Sequence, residues 1–360
     1  MKSLLMNLFI SVFLIILVSC NQYQSTMQIQ KIPIDFKKIK SVALDSIKIK
    51  VISLESKDQS LLYYINKIQF WKNKIIIYTQ GKLCVFDNNG KFLFNVGNKG
   101  NGPGEYTILS NFFIQNEYLN LYDSQTKRIL TFDADGRFLH STLVNGDTNH
   151  SYPMTLFPTN HDSYYIARNT FQGNNVKTPT LSVWTKDYKF VREITKRYLT
   201  TGLSAPDEFS FYKNEILYWE LLNDTIFYVQ NYNKLIPKYY VDFQDKAIPA
   251  NERVEKDLYK VIQYTNRPEV IEKIASRIGY IHEDDNYIRF LFMFQRKMHY
   301  VRYDKNKQLV FTYCFSGEQL NADVNYFLDV QDDNIVLSAN IKDNYDKNPM
   351  LLIINDKYIQ

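Results

Sequence analysis

Cysteine is scarce in this sequence, which has three cysteines among its 360 residues. Cys84 and Cys314 lie far apart, and neither belongs to a Cys-x-x-Cys pair. This spacing excludes a zinc site built on such pairs and a dithiol redox motif. It favours buried, small hydrophobic side chains at both positions.

Several short motifs that mark enzymes and nucleic-acid binders are also missing. The five histidines form no His-Glu-x-x-His or i, i+4 pair, so a helical zinc site has no support. No Gly-x-Ser-x-Gly is present, which excludes the nucleophile elbow of a hydrolase. The net charge of +5 is spread without blocks of Lys or Arg, so we expect no nucleic-acid partner.

Glycine is infrequent, with 12 residues, and four of them lie in one stretch, GNKGNGPGEY, from Gly97 to Tyr106. A Walker loop requires Lys-Ser or Lys-Thr after its last glycine, and this stretch has neither. A dinucleotide fingerprint opens a helix, whereas here Pro103 intervenes and a predicted strand follows. Both nucleotide-binding interpretations therefore fail.

Aromatic residues, in contrast, are abundant, with 28 Tyr and 24 Phe, and they favour β-structure. The sequence also repeats itself. The stretch KLCVFDNNGKFLFNVG starts at Lys82, RILTFDADGRFLHSTLV starts at Arg128, and Phe86 and Phe132 are 46 residues apart. Each copy alternates in the manner of a strand on both sides of a turn, which predicts a hairpin.

The predicted turns have the form Asp-x-x-Gly. Asp87 and Asp133 can cap them through bonds to the backbone, while Gly90 and Gly136 can supply a positive φ. A further strand precedes each hairpin, KIIIYT in one case and YLNLYD in the other, and another apolar segment precedes that strand. Each unit therefore contains about four strands.

Four weaker copies follow, which contain LSVWTKDYKFVREI, TIFYVQNYNKLIPKYYVDF, HYVRYDKNKQLVFTYCF and MLLIIND. A period near 46 matches the roughly 40–50 residues of a propeller blade. We therefore predict an all-β fold, a six-bladed β-propeller of four-stranded antiparallel blades over residues 41–360. Because the sixth copy lacks its outermost strand, we expect Ser46–Ser56 to supply that strand and close the ring.

One segment, Ile248–Ile281, departs from the strand pattern. Its apolar residues recur at helical spacing and Pro268 punctuates it, which predicts a helical hairpin at about residues 249–279. This small insertion falls between blades 4 and 5, and Pro268 is expected to begin its second helix. The insertion either covers an exposed edge or forms a lid or a surface for a partner. The first alternative is favoured because packing explains most amphipathic helices.

The N-terminus predicts export. Lys2 precedes an apolar run from Leu8 to Val18, and LVSC then ends at Cys20, which is typical of a signal peptide at residues 1–19. The small residues before Cys20 resemble a bacterial lipobox, in which the chain is cut before the cysteine and the cysteine is lipidated. A plain signal peptide with an incidental cysteine is the alternative. In the lipobox interpretation, residues 20–40 comprise the lipidated cysteine and a polar tether.

The glycine stretch resembles the blade crossover of NHL-type propellers, since GKFLFNVGNKGNGPGEY runs from Gly90 to Tyr106. Together with the lipobox and PKYYVDF, Pro237–Phe243, it makes the chain similar to the six-bladed β-propeller lipoproteins of Bacteroidetes. Gln244 departs from the glycine expected there. The resemblance implies a fold and a place in the cell envelope, and it implies no reaction.

The crossover residues are interpreted as structural. We expect the glycines to let the chain swing between blades, Glu105 to bond local backbone N–H groups, and Tyr106 to anchor the incoming strand. The other residues of this crossover motif are Gly97, Gly100, Gly102, Pro103 and Gly104. The later stretch APDEFSF repeats the pattern with Glu208 and Phe209. Because the motif recurs at equivalent crossovers, a structural role explains it more simply than a catalytic role does.

The best acidic cluster is HEDDN, whose possible metal ligands are His282, Glu283, Asp284 and Asp285. Ca²⁺ favours several carboxylate and carbonyl oxygens, and some six-bladed propeller lactonases and lyases hold Ca²⁺ in their central channel. The cluster also lies at a predicted turn, where Asp and Asn are expected for their turn chemistry. No other cofactor is predicted.

Two classes of function follow. The first is a non-enzymatic binding or scaffold propeller for a protein or glycan partner, which the lack of a converging His/Asp/Glu set favours. The second is a Ca²⁺-dependent hydrolase or lyase that uses the central channel. We expect the protein to be a monomer that is anchored by lipid to the outer membrane. The outer membrane is favoured because Asn21 is not the Asp of an inner-membrane retention signal. CNQYQ lacks an acidic surface-export run, which favours the periplasmic face.

Overall fold

The computed structural model describes residues 28–144, 153–159, 164–169, 178–197, 209–213, 215–220, 222–252, 258–316, 322–331, 333–342 and 346–359. Six sheets follow one another along this part of the chain and form a six-bladed β-propeller, which confirms the predicted fold. No helix among the described residues is long and apolar enough to cross a membrane.

Three N-terminal strands come before the first blade. They are β1 (Gln30–Pro33), β2 (Lys40–Ala43) and β3 (Ile49–Ser53). Each of them joins the edge of a blade that lies much later in the sequence.

Blades 1 to 3 are four-stranded and antiparallel. Blade 1 contains β4 (Lys67–Trp71), β5 (Lys74–Thr79), β6 (Lys82–Asp87) and β7 (Phe92–Asn95). Two short strands, β8 (Asn98–Lys99) and β9 (Glu105–Tyr106), lead to blade 2. Blade 2 contains β10 (Leu109–Gln115), β11 (Tyr118–Asp123), β12 (Arg128–Phe132) and β13 (Phe138–Leu143). Blade 3 contains β14 (Pro153–Pro158), β15 (Tyr164–Asn169), β16 (Thr178–Thr185) and β17 (Phe190–Arg197).

Blades 4 to 6 each include an N-terminal strand. Blade 4 contains β18 (Phe209–Tyr212), β19 (Glu215–Trp219), β20 (Thr225–Gln230) and β21 (Lys234–Asp242), with β1 beside β21. Blade 5 contains β22 (Ser276–Glu283), β23 (Tyr287–Phe294), β24 (Lys297–Asp304) and β25 (Leu309–Ser316), with β2 beside β25. Blade 6 contains β26 (Ala322–Gln331), β27 (Asn334–Ile341) and β28 (Met350–Asn355), with β3 beside β28.

Strand β3 closes the ring as the sequence predicts. It pairs antiparallel with β28, with Ile49 opposite Ile354 and Ser53 opposite Met350. Closure joins the two ends of the chain in one sheet, so blade 6 cannot form without both of them.

The predicted tether at residues 20–40 is too long, and the blades are not all four-stranded. Strands β1 and β2 pair in parallel with β21 and β25 and give blades 4 and 5 a fifth strand. The predicted tether is longer than the real one because residues 20–40 are polar overall, which hides the apolar side chains at alternate positions. Ile32 and Ile34 are fully buried, and Val42 and Leu44 are also buried. These strands cover sheet edges that would otherwise expose unpaired backbone groups.

The insertion between blades 4 and 5 is helical but shorter than predicted. It contains α1 (Leu258–Thr265) and α2 (Pro268–Ile271), and Pro268 begins the second helix as expected. The predicted end at residue 279 is wrong, because β22 starts at Ser276. Apolar residues that fit a helical period there belong to a strand, in which Ile278 packs between blades 4 and 5.

The hydrophobic core is divided among the interfaces between blades. The cluster between blades 1 and 2 contains Leu83 and Phe112, and each of the five other interfaces has an equivalent cluster. A seventh cluster packs Val261 of α1 against Leu222 and Ile248. Each blade therefore depends on its neighbours for burial of its two faces.

The hairpin turns have the predicted chemistry. Asp87 Oδ1 accepts the backbone N–H of Asn89 and of Lys91, each at 2.9 Å. Asp133 makes equivalent bonds in blade 2. The φ angles of Gly90 and Gly136 are 85° and 78°.

Candidate functional site

The innermost strands of the six blades surround a central channel of about 660 Å³. Every blade contributes to its wall, through β4, β10, the end of β14, β18, β22 and β26. Seven aromatic residues contribute to the lining, namely Phe70, Phe113, Phe157, Phe209, Phe211, Trp219 and Tyr280. Phe113, Phe157, Phe209 and Trp219 are buried between blades, whereas Phe70, Phe211 and Tyr280 are half-buried. A volume of this size lies within the roughly 300–1,000 Å³ of ordinary ligand pockets.

Polar groups are interspersed among the rings. The uncharged ones are Gln69, Gln115, Thr159 and Ser210, and the ionisable ones are Lys67, His282 and Asp329. Lys67 Nζ lies 5.3 Å from the ring centre of Phe112 and 5.7 Å from that of Phe157. These contacts hold the ammonium group against aromatic faces.

Trp219 adds a buried hydrogen-bond donor to the channel wall. The side chain is 1% exposed, and its indole N–H has no hydrogen-bond partner among the described residues. A buried N–H without a partner costs free energy.

Tight turns rim one mouth of the channel. The turn from β4 to β5 has positive φ at Lys72 and Asn73, and the turn from β10 to β11 has positive φ at Asn116 and Glu117. Two-residue turns of this kind match the right-handed twist of the strands they join. The turns from the second to the third strand, such as that containing Gln125, lie at the opposite mouth because the strands are antiparallel.

The glycine stretch forms the crossover from blade 1 to blade 2. Strand β8 pairs in parallel with β9, and the φ angles of Gly97 and Gly104 are 61° and 76°. Glu105 Oε2 accepts the backbone N–H of Gly102 at 2.7 Å, and Gly100 N–H donates to the carbonyl of Tyr106 at 2.9 Å. The crossover is thus a self-bonded loop, in which Pro103 is exposed.

Two buried side chains hold the end of the crossover against blade 2. Tyr106 is 4% exposed and packs in the cluster between blades 1 and 2. Asp123, which is fully buried, accepts the backbone N–H of Thr107 at 2.8 Å and of Ile108 at 3.1 Å. Burial opposes ionisation of Asp123, but these hydrogen bonds outweigh burial and hold its pKa below the ordinary value. The sequence pattern alone did not identify Asp123.

The equivalent crossover between blades 3 and 4 is described only from Phe209 onward. Phe209 is 7% exposed, and its ring centre lies 4.7 Å from that of Phe157. Glu208 and Cys20 lie outside the described residues.

The acidic cluster at the end of β22 is divided among separate basic partners. Glu283 is 3% exposed, and its carboxylate accepts from Lys238 at 2.9 Å, Tyr239 Oη at 2.6 Å and Lys305 at 3.1 Å. Burial opposes the charge of Lys238, but hydrogen bonds with Glu215 and Glu283 outweigh it and raise the pKa. Glu283 therefore joins blade 5 to blade 4.

Asp284 is linked to the other neighbour, blade 6, through Arg289. Its carboxylate binds Arg289, which is 1% exposed and also binds Asp356 at 2.8 Å and Asp333 at 2.9 Å. Arg302 binds the same Asp356 at 2.8 Å. This buried network was not predicted, although its signal is present as an arginine within the apolar strand YIRFLF.

Asp285 is exposed and binds Tyr212 and Lys213 of blade 4. The hydrogen bond from Lys213 lowers the pKa of Asp285. His282 lines the channel and is half-buried. Within the described ranges, no three His, Cys, Asp or Glu side chains converge where they could hold a metal ion. The cluster thus acts as a set of contacts between blades.

The two internal cysteines differ in environment. Cys84 is fully buried, and burial raises the pKa of its thiol to about 11, as expected for a small hydrophobic side chain. Cys314 is half-buried, and burial raises its pKa as well. Neither thiol is poised to act as a nucleophile at neutral pH.

Comparisons with known proteins agree with this architecture. The chain belongs to the family described as domain of unknown function DUF4934, whose pattern matches residues 32–355. No curated protein matches the sequence.

Two solved structures share the fold. A candidate exported protein from Bacteroides fragilis NCTC 9343 is 17% identical, with a TM-score of 0.69 over 90% of this chain and 99% of its own. A member of the DUF4221 family from Bacteroides vulgatus ATCC 8482 is 12% identical, with a TM-score of 0.56 over 85% of this chain and 96% of its own.

Proposed function

We propose that this protein is a non-enzymatic binding propeller that holds a glycan segment in its central channel. The observation that carries the proposal is the composition of the channel wall, in which the half-buried aromatic residues Phe70, Phe211 and Tyr280 lie among residues with amide and hydroxyl groups. Rings provide apolar contact area, and a few polar groups fix the orientation of a ligand. A sugar presents apolar C–H faces and hydroxyl groups together, so it matches both parts of this wall.

The acidic cluster beside the channel favours binding over catalysis. A general acid or base has to reach the substrate, whereas Glu283 and Asp284 do not line the channel and are engaged with Lys238 and Arg289. The ionisable residues that do line it are Lys67, His282 and Asp329. A Ca²⁺ site needs several free oxygen ligands, and the carboxylates of the cluster are held apart by their cations. Gln69, in contrast, lines the channel, and its side chain makes no hydrogen bond to another described residue, so its amide is available to a ligand.

A matched pair of variants tests the channel as the binding site. Gln69→Arg places a bulky cation in the channel, whereas Gln125→Arg makes the same change in an exposed turn at the opposite mouth. On an array of neutral and acidic oligosaccharides, we expect Gln69→Arg to lose ligands that wild type and Gln125→Arg retain. Equal binding by all three proteins contradicts the channel assignment, and capture of a protein partner in place of any glycan contradicts the glycan assignment.

The proposal includes no metal. Elemental analysis of the purified protein is expected to find no stoichiometric Ca²⁺ or Zn²⁺, and bound oligosaccharides are expected to remain intact after prolonged incubation. Stoichiometric Ca²⁺, with cleavage that a chelator abolishes, would instead support the hydrolase or lyase.

The proposal also includes an envelope location. We expect Cys20 to be lipidated on the outer membrane and to face the periplasm, with the protein a monomer. Cells grown with an alkyne fatty acid should label the wild type but not Cys20→Ser, and external protease should leave the protein intact until the outer membrane is opened. Labelling of Cys20→Ser would contradict the anchor.

A further inference from the structure

A second cavity of about 580 Å³ lies between blades 6 and 1, and we call it the 6–1 cleft. One wall consists of β3, the end of β28 and Tyr358, and the other consists of the turn between β4 and β5 together with Asn88. Phe70 lines both this cleft and the central channel, so the cleft opens beside the channel.

The cleft has a lining of one charge sign. Four lysines and four asparagines line it and no acidic residue does, the set being Lys48, Lys50, Lys72, Lys74, Asn73, Asn88, Asn334 and Asn355. Phe70, Ile52 and Ile353 supply apolar surface between them. The cleft thus combines positive charge, amide groups and apolar area.

Two of the lysines have acidic partners from blade 2. Lys72 pairs with Glu117, and Lys74 Nζ lies 3.1 Å from Asp135 Oδ1. The positive charge of the cleft therefore depends on the other two lysines, which belong to the opposite wall.

Lys48 and Lys50 have no acidic partner among the described residues. Both are exposed, and the contact of Lys48 is with the ring of Tyr358, whose centre lies 5.9 Å from Nζ. Two ammonium groups on one wall, without a neighbouring carboxylate, attract an anionic ligand. Neither ammonium group takes part in an ion pair between blades within the described residues.

The amide groups distinguish between kinds of anion. Asn73 and Asn88 are exposed and make no side-chain bond to a described residue, while Asn355 Nδ2 donates to Asn334 Oδ1 at 3.2 Å. An amide both donates and accepts, as a sugar hydroxyl does. An acidic peptide offers carboxylates without hydroxyls, whereas an acidic sugar offers both on successive residues.

We propose that the 6–1 cleft binds an acidic oligosaccharide, a sugar chain that carries carboxylate or sulfate groups. The ammonium groups of Lys48 and Lys50 bind the anionic substituents, and the amides of Asn73 and Asn88 bind hydroxyls. This site is distinct from the channel, because these four residues line the cleft and not the channel.

Calorimetric titration of the full chain tests the proposal with defined probes. Tetragalacturonate supplies carboxylates, a κ-carrageenan tetrasaccharide supplies sulfates, and the methyl ester of tetragalacturonate supplies the same sugar without charge. We expect at least one acidic probe to bind, the methyl ester to bind at least tenfold more weakly, and binding to weaken as NaCl rises from about 0.05 M to 0.5 M.

Two variants locate the site. The double variant K48Q/K50Q should weaken binding of the acidic probe by about tenfold, since it removes both unpaired charges. Asn88→Asp is nearly isosteric at an exposed turn position and should weaken binding through charge repulsion. The control K37Q/K38Q removes two exposed positive charges from the segment between β1 and β2, which does not line the cleft, and should bind like wild type.

Several outcomes overturn the proposal. One is that neither acidic probe binds, and another is that K48Q/K50Q binds as tightly as K37Q/K38Q. Equal affinity for the methyl ester would show that charge is not recognised, and equal affinity for tetraglutamate would show that the cleft accepts an acidic peptide. The channel variant Gln69→Arg should retain binding of the acidic probe, so failure here is separable from failure of the channel proposal.

Discussion

His299 gives the fold a specific weakness at acidic pH. The side chain is 5% exposed on β24, its ring is stacked 5.0 Å from Phe292, and its Nδ1–H donates to the carbonyl of Lys297 at 3.0 Å. Burial lowers its pKa from 6.5 to about 4. The folded protein therefore keeps this imidazole neutral at pH values where the unfolded chain protonates it.

The direction of the pH effect follows from proton binding. Between pH 6.5 and about 4, the unfolded state binds a proton at His299 that the folded state does not. The contribution of neutral His299 to the free energy of unfolding is therefore fully present above pH 6.5, and it falls as the pH is lowered through this window. The slope is at most about 1.4 kcal/mol per pH unit, so the loss at pH 4.5 is about 2–3 kcal/mol.

The perturbation is His299→Phe, which keeps an aromatic ring against Phe292 and removes the titrating group. At pH 7 we expect a cost of about 1 kcal/mol from the lost hydrogen bond. At pH 4.5 the order should reverse, with the variant more stable than wild type by about 1–2 kcal/mol. The two stability profiles should therefore cross between these pH values.

Urea unfolding at half-unit pH intervals measures this crossing. Fluorescence of the buried Trp184 and Trp219 should coincide with circular dichroism, which would establish that the ring unfolds cooperatively. The variant His140→Gln, which removes an exposed imidazole, is the matched control. Parallel profiles for wild type and His299→Phe would refute the assignment of the acid sensitivity to His299.

Four further predictions concern the ring and can be checked by urea unfolding. Gly81→Ala should cost about 1 kcal/mol, because its φ is positive but nothing lies within 4 Å of a new Cβ. Gly90→Ala should cost several times more, because its Cβ would lie 2.2 Å from a backbone oxygen of β3. Tyr106→Ala should cost about 3–5 kcal/mol by opening a cavity between blades 1 and 2. Arg289→Met should cost about 3–5 kcal/mol, because it leaves Asp356 buried without this cation.

The parts of the fold that could be predicted are those whose signal is local. A hairpin with an Asp-x-x-Gly turn carries its turn residues, its strand alternation and its register within about 15 residues. Asp87 and Gly90 therefore identified the repeat, and the repeat identified the propeller. Strand β3 was predicted for a further reason, since a ring with one strand missing requires a closing strand.

Strands β1 and β2 escaped prediction because their pairing is remote and parallel. Gln30 lies opposite Tyr239, and Lys40 lies opposite Tyr313, so no turn connects either strand to its partner. Each strand is four residues long, which is too short for an alternation of apolar and polar residues to stand out. The error in the end of the helical insertion has a similar origin, because short apolar runs fit a helix and a strand equally well.

The candidate site was less predictable than the fold. The channel wall is assembled from six separate segments, and no pattern within any one of them indicates which residues face the axis. The acidic cluster HEDDN was visible in the sequence, but its meaning depends on Lys238 and Arg289, which neutralise Glu283 and Asp284. A cluster of carboxylates predicts a cation, and here the cations are side chains of the protein.

The shortened tether changes what an anchor at Cys20 would do. With β1 in place, residues 21–29 separate the anchor from blade 4, and nine residues span at most about 32 Å. If β1 were released, the free segment would extend to residue 39 and span about 65 Å. The burial of Ile32 and Ile34 in the cluster between blades 4 and 5 opposes that release. The same two side chains that cover a sheet edge therefore also hold blade 4 near the membrane in the proposed anchored protein.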